Sequence, residues 1–257
     1  MRHKTALVTG AASGIGLALA ADLSKQGFRV CLTDADEQAV TSAAQSLNGA
    51  AAEVLALPLD VTNQEHISGA VSRLENEWGG VDVLINNAGI QHVASLEDFP
   101  VDRWKLLTEI LLVGPALLSR AVLPSMRARN FGRIVNVGSI HSLVASPHKS
   151  AYGAAKPGLL GFSKTVALET ADCDITINTL CPSYVKTALV QKQISSQALA
   201  HGISEDEVIN KIMLEPMPKK SFIDMDELCG AMNFLLSDAA RNMTGQEMVI
   251  DGGWTIR

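Results

Sequence analysis

The chain has 257 residues, 47% of them hydrophobic and 19% charged, a balance that fits a globular protein with a large core and excludes disordered and fibrous classes. Aromatic residues make up only 4%, so that core is expected to be Leu, Ile, Val and Ala. A net charge of −6 argues against nucleic-acid and anionic-membrane partners.

The amino end, MRHKTALVTGAASG, enters a strand almost at once. It lacks an apolar run followed by a small-residue cleavage site, so no signal peptide is expected. KTALVTG reads as the first strand and GLALAADLSKQG as the first helix, stopping at Gly27. RVCLTD and DEQAVTSAAQSL give the second pair, AEVLALPLDV and QEHISGAVSRLENEWG the third. VDVLINNAG is the fourth strand, a long helical region runs from about Val101 to Arg129, and GRIVNVGS is the fifth strand. A helix from about Ser150 to Ala171, the strand ITINTLCP and a polar, helix-prone segment from Thr187 to Lys220 follow. The helix MDELCGAMNFLLS and the strand EMVIDGG complete the series.

Strands this apolar, separated by helices, imply an α/β fold with a parallel sheet covered on both faces, in one domain over residues 1–257. No uninterrupted run of eighteen or so apolar residues is evident, so no membrane span is expected. Cys31, Cys173, Cys181 and Cys229 lack zinc-type spacing and read as free thiols, which suits a cytoplasmic protein without a metal site.

The turn TGAASGIG joins the first strand to the first helix. Gly10 permits the tight turn, Gly14 lets the backbone approach a pyrophosphate, and Gly16 allows the helix to pack closely on the sheet. With Ser13 and Ile15 these residues form a phosphate cradle at a helix N-terminus. Asp34 ends the second strand eighteen residues past Gly16, where a carboxylate hydrogen-bonds the adenosine ribose and repels the extra phosphate of NADP. NAD is the expected cofactor.

Tyr152 and Lys156 lie four residues apart on a predicted helix and share a face. A free tyrosine has a pKa of about 10, and a neighbouring ammonium is expected to lower it so that the phenol exchanges protons. Ser139, just past a strand's carboxyl end, is placed to hydrogen-bond the same substrate oxygen. His141 and Lys149 fall in the loop between them, and Gln91 and His92 follow the fourth strand at the same sheet edge. A cation with amide and imidazole donors suits a small carboxylate.

The pieces TGAASGIG, LDV, NNAG, Ser139, YGAAK and PSYVKT together resemble the short-chain dehydrogenase/reductase family over essentially the whole chain. The resemblance implies a single-domain, Rossmann-like, doubly wound sheet with catalytic Ser139, Tyr152 and Lys156, the last also holding the nicotinamide ribose. It places Asp60 and Val61 at the adenine, Asn87, Ala88 and Gly89 along the adenosine, and Val185 and Thr187 at the nicotinamide. Asp60 as a turn residue and Thr187 as a helix cap stand as alternatives.

NNAGIQH, HSLVASPHKSAY, LVQKQI and DGGW are similar to the bacterial D-3-hydroxybutyrate dehydrogenase subfamily. That similarity implies a carboxylate held by Gln91, His141, Lys149 and Gln193, with Trp254 near the pocket. The segment from about 187 to 220 is then a helical substrate lid. The implied reaction is the NAD-dependent interconversion of (R)-3-hydroxybutyrate and acetoacetate, in a cytoplasmic homotetramer. A reductase of β-ketoacyl thioesters and a catalytically impaired NAD-binding protein remain the alternatives.

Two positions depart from the family. Leu111 stands where a kink-forming asparagine is usual, and Ser183 where glycine is usual. Pro115 has no N–H for the Leu111 carbonyl, so it is expected to restore the kink and free that carbonyl for a proton relay to Lys156.

Overall fold

The computed structural model describes residues 4–47 and 53–256. Its strands are β1 (Thr5–Thr9), β2 (Arg29–Asp34), β3 (Val54–Pro58), β4 (Val83–Asn86), β5 (Gly132–Val137), β6 (Ile175–Pro182) and β7 (Glu247–Ile250). All pair in parallel in the order β3-β2-β1-β4-β5-β6-β7. The order runs outward from β1 to β3, then resumes on the other side with β4. That reversal opens a crevice at the carboxyl ends of β1 and β4, where sheets of this kind take ligands.

The helices are α1 (Gly14–Lys25), α2 (Glu37–Ser46) and α3 (Gln64–Trp78) before β4, then α4 (Val101–Thr108), α5 (Gly114–Arg129) and α6 (Ser150–Glu169). After β6 come α7 (Ala188–His201), the short α8 (Glu205–Val208) and α9 (Met225–Leu236). Side-chain alternation along β1 sends Ala6 and Val8 into one core, with Leu23 of α1 and Met232 of α9. Leu7 goes into the other, with Leu74 of α3 and Leu118 of α5. The central strands β1, β4, β5 and β6 are buried along their whole length, which is why they read as apolar runs rather than as alternation.

The long region from Val101 to Arg129 is interrupted by a π-helical turn at Glu109–Val113. Pro115 cannot donate to the Leu111 carbonyl, and the wider turn falls at that place; Gly114 N–H reaches back to the Glu109 carbonyl. This region is more apolar than the sequence reading allowed. It contains an 18-residue window of mean hydropathy 1.8, long and apolar enough by composition to cross a bilayer. Part of that hydropathy is core packing, since Leu118, Val122 and Met126 are buried against α3 and the sheet.

Residues after β6 form the helical segment foreseen there, with a π-helical turn at Ile209–Met213 following α8. Ile194, Val208 and Met213 make a small apolar core of its own, and Tyr184 packs against it.

Candidate active site

A cavity of about 320 Å³ opens at the crevice, lined from Asp34 and the glycine loop at one end to Lys149 and Gln193 at the other. At the first end, Gly10 (φ 61°) and Gly14 (φ 57°) occupy the left-handed region that the turn requires. A Cβ on Gly16 would collide with the Gly10 carbonyl and the Asn87 amide. The Asn87 amide nitrogen donates to the carbonyls of Thr9 (2.9 Å) and Gly10 (3.0 Å), so the end of β4 pins the loop that follows β1. Ser13 makes no side-chain capping bond to α1, and Ser13, Gly14 and Ile15 all line the cavity. A helix N-terminus left without a side-chain cap, facing a cavity with Asp34 at its rim, fits a dinucleotide's phosphates and ribose. The Asp34 carboxylate is steadied by the N–H groups of Ala12 (3.3 Å) and Asp36 (3.2 Å).

Asn87, Gly89, Val185 and Thr187 also line the cavity. Thr187 lines the cavity and also takes the helix-cap role, since its hydroxyl accepts from Val190 N–H at the start of α7. Gly16, Asp60, Val61 and Ala88 are not on the lining. Asp60 instead closes its own turn, accepting from the Thr62 N–H (2.9 Å) and hydroxyl (2.8 Å). Val61 is buried where Gly114 passes closely over it.

In the middle of the cavity stand Ser139, Tyr152 and Lys156. Ser139 follows β5 and accepts the His141 N–H at 3.1 Å, which fixes it at the start of a short 3₁₀ turn. Tyr152 and Lys156 lie on α6, the ammonium 5.6 Å from the phenol ring centre. The Lys156 ammonium donates to the Val137 carbonyl at 2.6 Å. The titration of the pair differs from the expectation drawn from spacing. Burial raises the Tyr152 pKa, opposed by a hydrogen bond with Ser139, and burial lowers Lys156 to about 8, opposed by Cys181. Desolvation penalises the charged form of each group, and in this cleft it is the largest influence on both.

At the far end His141 is 3% exposed, with its Nε2 at 3.3 Å from the Lys149 ammonium and its Nδ1 buried without a partner. Its ring meets Tyr152 edge-on at 5.9 Å and Trp254 at 6.1 Å. Burial, and then the Lys149 charge, lowers His141 to about 4, while burial also lowers Lys149. Gln91 and Gln193 complete the lining of this end. His92 is elsewhere, packed edge-on against Phe99.

A family profile described as enoyl-(acyl carrier protein) reductase matches residues 10–255. Over 254 residues the chain is 42% identical to a D-beta-hydroxybutyrate dehydrogenase of Rhizobium meliloti, covering 98% of each chain. It is equally 42% identical to a protein of the same name from Cupriavidus necator, covering 99% of this chain and 98% of that one. An uncharacterised oxidoreductase of Bacillus subtilis is 39% identical over 255 residues, 99% of both chains. The chain belongs to the short-chain dehydrogenase/reductase family. It is therefore an oxidoreductase of a family that works with a nicotinamide cofactor.

Against that family, the two departures find places. Leu111 is 1% exposed and lines the cavity beside Gly89, within the π-helical turn. Lys156 is held by Val137, so the ammonium is anchored without a contribution from residue 111. Ser183 lines the cavity, with its hydroxyl turned to the Met217 sulfur at 3.4 Å. Tyr184 is among the lining residues that escaped the sequence reading. It lies 5.9 Å from Trp254 and has the Lys149 ammonium 6.0 Å from its ring centre. The signal was present: the chain has only two tyrosines, and both line this cavity.

Proposed function

We propose that the protein is an NAD-dependent dehydrogenase interconverting (R)-3-hydroxybutyrate and acetoacetate. The observation that carries this reading is the His141–Lys149 pair. Two basic groups stand 3.3 Å apart in the cavity that also holds Ser139, Tyr152 and Lys156, with no carboxylate of the chain bonded to either among the described residues. Such a pair suits an anion that arrives from outside. The small cavity and the amides of Gln91 and Gln193 favour a short carboxylic acid over a long chain. Asp34 favours NAD over NADP, because the glycine loop offers no arginine or lysine beside it. The two 42% identical relatives carry the corresponding name.

A bound oxidised nicotinamide supplies the hydride acceptor and a positive ring charge that pulls Tyr152 toward phenolate. Ser139 holds the substrate C3 oxygen, and Tyr152 takes the hydroxyl proton as the C3 hydrogen leaves as hydride. Lys156, whose pKa is about 8, carries that proton onward toward water. Lys149, His141, Gln91 and Gln193 hold the carboxylate, so that binding energy remote from C3 orients one face of the carbon. The helical segment that carries Gln193 shields the reaction from water. The assembly proposed is a cytoplasmic homotetramer with neither nucleic-acid nor membrane partner. It would pack through the long helices after β4 and β5, and the net charge of −6 argues against nucleic-acid and anionic-membrane partners.

Steady-state assays of (R)- and (S)-3-hydroxybutyrate with NAD and with NADP test the reading. Turnover of the (R) acid with NAD is expected, with KM raised about tenfold to a hundredfold by Lys149→Ala, since a hydrogen bond to a charged group is worth about 1.5–3 kcal/mol. Turnover of a β-ketoacyl thioester with NADPH in its place, or cofactor binding with no turnover, would overturn it.

A further inference from the structure

The first asparagine of NNAG, Asn86, has no part in the cavity, yet it begins a line of buried polar side chains directly behind the reacting pair. Its amide donates to the Asn136 side-chain oxygen at 2.8 Å, across β4 and β5. The Asn136 amide donates to the Ser163 hydroxyl of α6 at 2.9 Å. That hydroxyl donates to the Leu159 carbonyl at 2.8 Å and lies 3.0 Å from the Thr179 hydroxyl of β6. All four side chains are at most 3% exposed. A buried polar network specifies one geometry where its members are satisfied; Asn136, Ser163 and Thr179 each have partners, while the Asn86 Oδ1 is buried without one.

The helix reached by this line needs such a specification. The N-cap of α6, Lys149, makes no side-chain capping bond, Pro157 lies inside the helix, and Gly153, Gly158 and Gly161 weaken its local preference. Ser163 is seven residues from Lys156, two helical turns along the same face. Consecutive residues of β5 thus grip α6 at two heights: the Val137 carbonyl holds Lys156 at 2.6 Å, and the Asn136 amide holds Ser163 at 2.9 Å.

We propose that Asn136 and Ser163 are positioning residues, a buried amide–hydroxyl clamp that sets the height and rotation of α6 and so brings Tyr152 and Lys156 to Ser139. The clamp is independent of the substrate's identity but rests on the reading that Tyr152 and Lys156 move the proton. Ser163→Ala removes only the helix side of the clamp. Displacements of about an ångström are worth up to a hundredfold in rate, so kcat is expected to fall about tenfold with KM for NAD changed far less. The pH midpoint of kcat is expected to shift as well, because Lys156 loses its fixed seat. Ser163→Thr, which returns a hydroxyl, is expected to recover most of the rate. A thermal melt and active-site titration give the folded, cofactor-binding fraction of each variant.

A loss of rate that merely tracks the folded fraction, with the pH midpoint unmoved, would show a structural role only and overturn the proposal. Unchanged kcat in Ser163→Ala would overturn it too. Tyr152→Phe serves as the control: if that variant still turns over, the proton-transfer reading itself has failed. If it is inactive while Ser163→Ala is normal, the clamp alone has failed.

Discussion

The two ends of the cavity are made of different material. The cofactor end is backbone: Gly10 and Gly14 at positive φ, the start of α1, and carbonyls pinned by Asn87. The far end is side chain: His141, Lys149, Gln91 and Gln193 come from separated loops and helices and meet only in the folded chain. Backbone keeps its hydrogen-bonding character wherever it is placed, whereas a titratable side chain changes character when water is removed. The glycine loop therefore takes the backbone geometry that its sequence suggests. The other end holds an imidazole kept neutral at physiological pH, beside an ammonium whose own pKa burial lowers.

The largest effect is expected between the two ends. Tyr152→Phe should lower kcat by about 10²–10⁴-fold, the range of general acid–base assistance, while leaving NAD affinity nearly intact. Equilibrium binding of NAD beside single-turnover kinetics separates the two; a parallel loss of both would place Tyr152 with the cofactor rather than with the proton.

At the cofactor end, Asp34→Ala should weaken NAD binding about tenfold to a hundredfold by removing hydrogen bonds from a charged group. NADP binding should suffer less, because a repelling charge goes with it. Titration of both dinucleotides against wild type and variant measures the ratio, and an unchanged ratio would remove Asp34 from the selectivity argument.

The side-chain end carries a pH signature that the backbone end lacks. Burial takes His141 from its ordinary value of 6.5 to about 4, so between those values the unfolded chain binds a proton that the folded chain refuses. Stability contributed by keeping His141 neutral is full above the unfolded value and is lost as pH falls through that window. Urea midpoints at about pH 7.5 and about pH 5 should differ more in wild type than in His141→Gln, and equal differences would show that His141 carries no such linkage.

The smallest effect belongs to the glycine loop. A Cβ on Gly14 meets nothing closer than the Thr187 methyl at 3.8 Å. Gly14→Ala should therefore cost only the left-handed penalty, about 1–2 kcal/mol, seen as a few degrees in the melting temperature. A much larger loss would mean that the loop is held by contacts as well as by conformation.

How much of this was readable beforehand follows the same division. The seven strands, the glycine loop and Asp34 could be read because each is signalled within a short stretch. Asp60 carries the same chemical label as Asp34, but its carboxylate is spent on Thr62, and a two-residue contact of that kind leaves no periodic trace. Tyr184 was missed because nothing local marks it; its place depends on Trp254 and Lys149, far away in the chain. The break near Leu111 could be expected from Pro115, but its π-helical form could not, because periodicity does not register a single wider turn.

The sequence by itself determined the order of strands and helices, the glycine turn after β1, and the pairing of Tyr152 with Lys156 on one helical face. All of these depend on bond geometry and on spacings of a few residues. Only the tertiary structure decided how those groups titrate, that Val137 holds Lys156, and that His141 faces Lys149. The physical reason is desolvation: a side chain's charge depends on how much water the rest of the fold takes from it, and that is settled by residues distant in sequence.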